Sequence, residues 1–161
     1  MSNSPKRAFG SSPKSRRKEV NLDLSTARQM LPLVKSIVQD VVETQLELNR
    51  LHPEQESLDR HRRDLVWAER DRRYRLHEEV EAAERRMKAA LSELGDLGLS
   101  VADRNEGRVL FPTRINGRPA VFSWQPGEES VSFWSYEEEE LRRPIPSDWT
   151  NGSALRLKGN P

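Results

Sequence analysis

The 161-residue chain contains no cysteine. That excludes disulfides, thiolate nucleophiles, Cys-ligated zinc and iron–sulfur clusters. Aromatic residues are scarce, at 6%. No apolar run approaches the roughly 18 residues that mark a membrane-spanning helix, and no apolar signal-type stretch stands near residue 1. A soluble cytoplasmic protein is the expectation. Aliphatic content is also low: Leu, Ile, Val and Phe make up 36 of the 161 residues, close to the level of roughly 20% at which disorder becomes the default. A core drawn from so little must be narrow. Long amphipathic helices suit that condition, because each buries a single stripe.

Charge is abundant, at 33% of residues, and nearly balanced at a net +1. Its distribution is uneven. Residues 1–20 hold six basic side chains against Glu19, which is +5, so the remaining 141 residues carry −4. The first twenty residues are also rich in Ser, Pro and Gly, a composition unable to bury enough surface to offset chain entropy. A disordered basic tail is expected there, and it is the part of the chain suited to nucleic acid or an anionic surface.

A first helix is expected from Asp23, a good N-cap, with Leu22 and Ala27 in the staple positions. Leu24, Ala27, Leu31, Val34, Val38, Val41 and Leu48 follow heptad spacing, with Gln45 in the missing place. Met30, Ile37, Val42 and Leu46 widen the stripe, which implies more than one neighbour. Pro32 is expected to kink this helix. Pro53 is expected to end it and to open a second helix over 54–94 or 54–97. Leu76, Val80, Ala83, Met87, Ala90 and Leu94 give that helix a clean seam, which turns polar toward its start. Gly95 or Gly98 then supplies the stop. Lengths of about 28 and about 40 residues, or about 42 and 60 Å, leave part of the second helix uncovered. That mismatch points to a homodimer through the heptad faces of both helices.

After Leu99 the period changes to two. "RVLFP", "AVFSW" and "VSFWSY" read as short strands, and Asn116-Gly117 is a hairpin signal. The fold class is therefore α+β: a long, coiled-coil-like antiparallel helical hairpin followed by a small antiparallel sheet of three to four strands. The domain spans 21–146, with 147–161 as a loose C-terminal tail.

"LDLSTARQMLPLVKSIVQDV", "LGDLGLSV", "GRVLFPTRINGRPAVFSW", "GEESVSFW" and "RRPIP" together resemble, in order and spacing, the bacterial DUF2203 family. The resemblance implies a helical hairpin followed by a small sheet and implies no activity, because the family has no established function. Relatives often carry a cysteine where this chain has Ser123 and a histidine where it has Ser135. Glu137–Glu140 replaces a Gly-Phe-containing stretch usual in them.

Catalytic patterns are few. His52, His61 and His77 are preceded at three residues by Asn49, Leu58 and Tyr74, so the Glu-x-x-His pattern of di-iron bundles fails each time. No metal ligands and no cofactor are expected. There is no P-loop, dinucleotide fingerprint or nucleophile elbow. Residues 53–94 hold ten basic and eleven acidic side chains, the composition of a solvated helix face, although their arginine clusters resemble phosphate contacts when taken alone. Trp124 and Trp134 with Arg114, Arg118, Arg142 and Arg143 are the candidate ligand-binding residues, since aromatics beside arginines suit an acidic or phosphorylated ligand. The expected function is a non-enzymatic, oligomerising interaction or scaffold module. The alternatives are a nucleic-acid-associated protein and a small-molecule or acidic-ligand site at the helix–sheet junction.

Overall fold

Asp23 starts the first helix as its sequence requires: its carboxylate accepts from the Thr26 amide at 2.7 Å, satisfying one of the donors a helix N-terminus leaves free. That bond lowers the Asp23 pKa. From there, in a computed structural model that describes residues 20–149, the chain forms α1 (Leu24–Arg60) and α2 (Trp67–Asp96). Five strands follow: β1 (Ser100–Asp103), β2 (Arg108–Ile115), β3 (Arg118–Trp124), β4 (Phe133–Tyr136) and β5 (Arg143–Pro144). The sheet is an antiparallel meander in the order β1-β2-β3-β4-β5. The basic tail, up to residue 19, and residues 150–161 lie outside the described residues.

Pro53 does not end the first helix. α1 runs through both Pro32 and Pro53 to Arg60, and α2 begins at Trp67, not at residue 54. A proline inside a helix removes one backbone bond, here to the Asn49 carbonyl. Contacts on both sides of it hold the helix. Leu51 is buried, Leu58 packs on the core, and Glu54 and Asp59 pair with Arg72 and Arg73 of α2. The turn falls at 61–66, a stretch with no Gly or Pro. There the Glu69 carboxylate accepts from the Val66 amide and caps the new helix. The length order is thus reversed: 37 residues for α1 and 30 for α2, or about 55 and 45 Å. The uncovered second helix expected from the sequence is absent. Leu76, Val80, Ala83, Met87, Ala90 and Leu94 are all buried within one chain.

The C-terminus of α2 is a Schellman turn. Gly98, at φ +82°, donates to the Gly95 carbonyl, and Leu99 donates to Leu94. A Cβ on Gly98 would lie 2.9 Å from Val20 Cγ1, so the position needs glycine for space as well as for conformation.

The sheet has five strands instead of three or four. β5 is only two residues long, too short for alternation to reveal it, and pairs Arg143 with Trp134. β2 continues past Pro112 to Ile115. The Asn116-Gly117 hairpin, with both residues at positive φ, sets Ile115 opposite Arg118. Even-numbered residues of β2 then turn their backbone groups away from β3, so Pro112 deprives that ladder of no donor. Its carbonyl instead accepts from the Leu22 amide at 2.8 Å.

One face of the sheet packs on the helices. Val109, Phe111, Ile115, Phe122, Trp124, Trp134 and Tyr136 join the helical stripes in a single buried cluster. α1 touches both α2 and the strands, as its widened stripe implied: a Cβ on Gly107 would come within 2.8 Å of Val38 and Val42. Trp149 is buried against Trp134, with ring centroids 5.3 Å apart. Ser147 and Asp148, which precede it, are exposed.

Candidate interaction surface

Strand alternation divides the six residues singled out from the sequence between two faces. Trp124 and Trp134 point toward the helices and are 3% and 7% exposed. The Trp124 indole donates to the Glu128 carbonyl at 2.9 Å, closing the turn after β3. Trp134 stands edge-on to Tyr136 at 5.1 Å. Arg143 lies over Trp134, and Arg118 lies over the Tyr136 ring at 3.8 Å while pairing with Glu138. The hydrogen bond to Glu138 raises the Arg118 pKa. Arg114 and Arg142 occupy the opposite, helix-free face. Arg114 donates to the Gly117 carbonyl. Arg142 stacks on Phe133, donates to Ser123 Oγ at 2.8 Å and pairs with Glu128 at 2.7 Å. The six residues do not converge on one point.

An open groove of about 1280 Å³ is lined in part by Leu110, Pro112, Val121, Ser123, Ser135 and Arg142 of the sheet. It extends past the sheet edge to Ser92, Gly95 and Asp96 at the C-terminal end of α2. Arg142 is committed to Glu128 and Ser123, which makes it a clamp between β3 and the segment before β5. All three histidines sit on the helical hairpin, so neither Ser123 nor Ser135 has an imidazole to activate it. Among the described residues there is no group of three or more His, Cys, Asp or Glu placed to hold a metal.

Most arginines of α2 are already paired. Arg72 bridges Glu54 and Glu79, Arg73 meets Asp59, and Arg75, Arg85 and Arg86 meet Asp71, Glu81 and Glu47. The hydrogen bond from Arg72 lowers the Glu54 pKa. The seam between the helices also turns polar as it leaves the sheet. Asp59 Oδ1 accepts from Arg73 Nε at 2.7 Å and from His77 Nε2 at 3.1 Å, and Gln55 Nε2 lies 2.9 Å from His77 Nδ1. The Arg73 hydrogen bond, ahead of the one from His77, holds the Asp59 carboxyl below its ordinary range. His77 thus serves the helix pairing.

The apex of the hairpin is different. Trp67 is 77% exposed, Tyr74 67% and Val66 62%, whereas neighbouring Leu65 is buried. Arg62 and Arg63 have no side-chain partner among the described residues. The α2 frame accounts for this exposure: at 100° per residue, Trp67 and Tyr74 lie opposite the Leu76–Leu94 stripe. Extending that stripe back to residue 67 is the signal that finds them. Beside them Arg62, Leu65, Arg70, Tyr74, His77 and Glu81 line part of a shallow groove of about 580 Å³.

A two-helix hairpin with a five-stranded antiparallel meander laid on one side defines an α+β protein of simple topology. The family model described as "Uncharacterized conserved protein (DUF2203)" matches residues 22–145, and the chain belongs to that family. Comparison with curated proteins and with solved structures found no match.

Proposed function

We propose that this protein is a non-enzymatic protein-interaction module, a small α+β body that presents its contact surface at the apex of a helical stalk. The observation that carries this reading is the exposure of Trp67, Val66 and Tyr74 together at one end of the hairpin. Tryptophan, tyrosine and arginine dominate interface energetics, and the unpartnered Arg62 and Arg63 stand beside this cluster. An exposed indole gains nothing for folding, whereas the other three tryptophans, Trp124, Trp134 and Trp149, are buried. The stalk itself is stiffened by cross-helix pairs, so the apex is held away from the sheet.

A photo-crosslinking residue at position 74, introduced in the native host, tests the reading. Discrete protein adducts are expected from position 74, are lost on Trp67→Ala, and are not formed from position 46 on the exposed side of α1. Adducts from position 46 and none from position 74 would refute it.

A further inference from the structure

The apex face has a charge order that identifies its partner. At 100° per residue, Trp67, Arg70, Tyr74, Glu78 and Glu81 fall within an arc of about 80° on the solvent side of α2. Arg70 gives one donor to the Leu65 carbonyl and has no carboxylate partner, and Glu78 has none either among the described residues. Arg70 and Glu78 stand four residues before and four residues after Tyr74, each about 6 Å along the axis. We infer that this face is a contact between two copies of the chain, laid antiparallel about a two-fold axis at Tyr74. The inference rests on the reading of the apex as a contact surface and names its occupant.

Two-fold symmetry makes such a face self-complementary. Residue 74 − k of one copy meets residue 74 + k of the other, so Arg70 of each faces Glu78 of the other, twice. Trp67 of each falls at the height of Glu81 of the other, at the end of the shallow groove that Tyr74, Glu78 and Glu81 help to line. A polyanion such as nucleic acid fits less well, because Glu78 and Glu81 share the face with the arginines. Size also agrees. Trp67 and Tyr74 present about 300 Å² between them, given aromatic areas of about 150–250 Å². Interfaces are about 60% apolar, so each copy would bury about 500 Å². The total of about 1000 Å² lies at the threshold for a specific, weak interface.

The test is light scattering on the nuclease-treated full chain up to about 100 μM, a range that detects micromolar affinity. A dimer is expected. Trp67→Ala, Arg70→Glu and Glu78→Arg should each weaken it at least about tenfold, with unchanged circular dichroism. Mixing the Arg70→Glu chain with the Glu78→Arg chain should restore a dimer, because the heterodimer alone opposes unlike charges at both contacts. Misfolded variants would not recover on mixing, so the mixture separates loss of the contact from loss of the fold. A wild-type chain that stays monomeric, a dimer indifferent to all three substitutions, a mixture that stays monomeric, or a higher mass seen only before nuclease treatment would each overturn the inference. A monomer whose position-74 adducts are to a different protein would leave the interaction reading standing and sink only the second copy.

Discussion

Replacing Trp134 by alanine and, separately, Trp67 by alanine asks which tryptophans hold the fold. Trp134 is 7% exposed and packs on Tyr136, Trp149 and the Arg143 guanidinium. Removing a buried large aromatic costs about 3–5 kcal/mol, through lost transfer free energy and the cavity left behind. Each lost ring–ring contact adds about 0.5–1.5 kcal/mol. Against a total stability of about 5–15 kcal/mol, Trp134→Ala should remove at least about a quarter. Trp67 is 77% exposed, and surface substitutions typically stay within about 0.5 kcal/mol. Urea titration followed by far-ultraviolet circular dichroism measures both, and the slope of free energy against urea should not change. The experiment should use a concentration at which any dimer is dissociated, so that association does not add to the Trp67 result. A loss under about 1 kcal/mol at Trp134, or a loss above about 2 kcal/mol at Trp67, would refute the assignment of core and apex.

Three further outcomes are expected. Gly107→Ala should destabilise by about 2 kcal/mol or more in the same titration, because its φ is +73° and its Cβ would press on Val38 and Val42; a neutral result would mean that the β1–β2 turn and α1 separate freely. Pro53→Ala restores the bond to the Asn49 carbonyl and removes a penalty of about 3 kcal/mol, partly offset by the freer unfolded chain. Its melting temperature should therefore rise, and an unchanged or lower one would show that the helix does not run through that position. The third outcome concerns pH. The Asp59 pKa is lowered in the folded state, first by its hydrogen bond from Arg73, so its stabilising contribution is present above the unfolded aspartate pKa of about 4 and is lost as pH falls through the lower folded value. Asp59→Asn should flatten that part of the acid titration, and a parallel curve would exclude Asp59 as a source of the acid sensitivity.

Much of the fold is legible in the sequence because burial follows period. The Leu24–Val41 heptads and the Leu76–Leu94 seam are the helical core, and the Asn116-Gly117 turn sets the β2–β3 register. The misplaced helix boundary has a physical reason. Pro53 is a strong local breaker, yet the spacing Leu48, Leu51, Gln55 and Leu58 continues across it, and cross-helix pairs formed only after folding decide the outcome. The real turn, "HRRDLV", contains no residue that demands one. Pro112 misleads in the same way, since which side of a strand its nitrogen faces depends on the hairpin register and not on proline itself. The candidate site was less legible still. Alternation was enough to separate Phe133 from Trp134, but that Trp124 and Trp134 both turn inward follows from pairing across β3 and β4. Trp67 and Tyr74 became recognisable as a surface cluster once the start of α2 was known.

The change of the interhelical seam from aliphatic near the strands to Asp59, Arg73, His77 and Gln55 farther out gives the hairpin a gradient of cohesion. Opening the outer end exposes chiefly groups that water solvates well, so those amides should exchange through partial unzipping long before the molecule unfolds globally. Whatever clamps the tip would close that route, and protection would then spread down both helices toward the sheet.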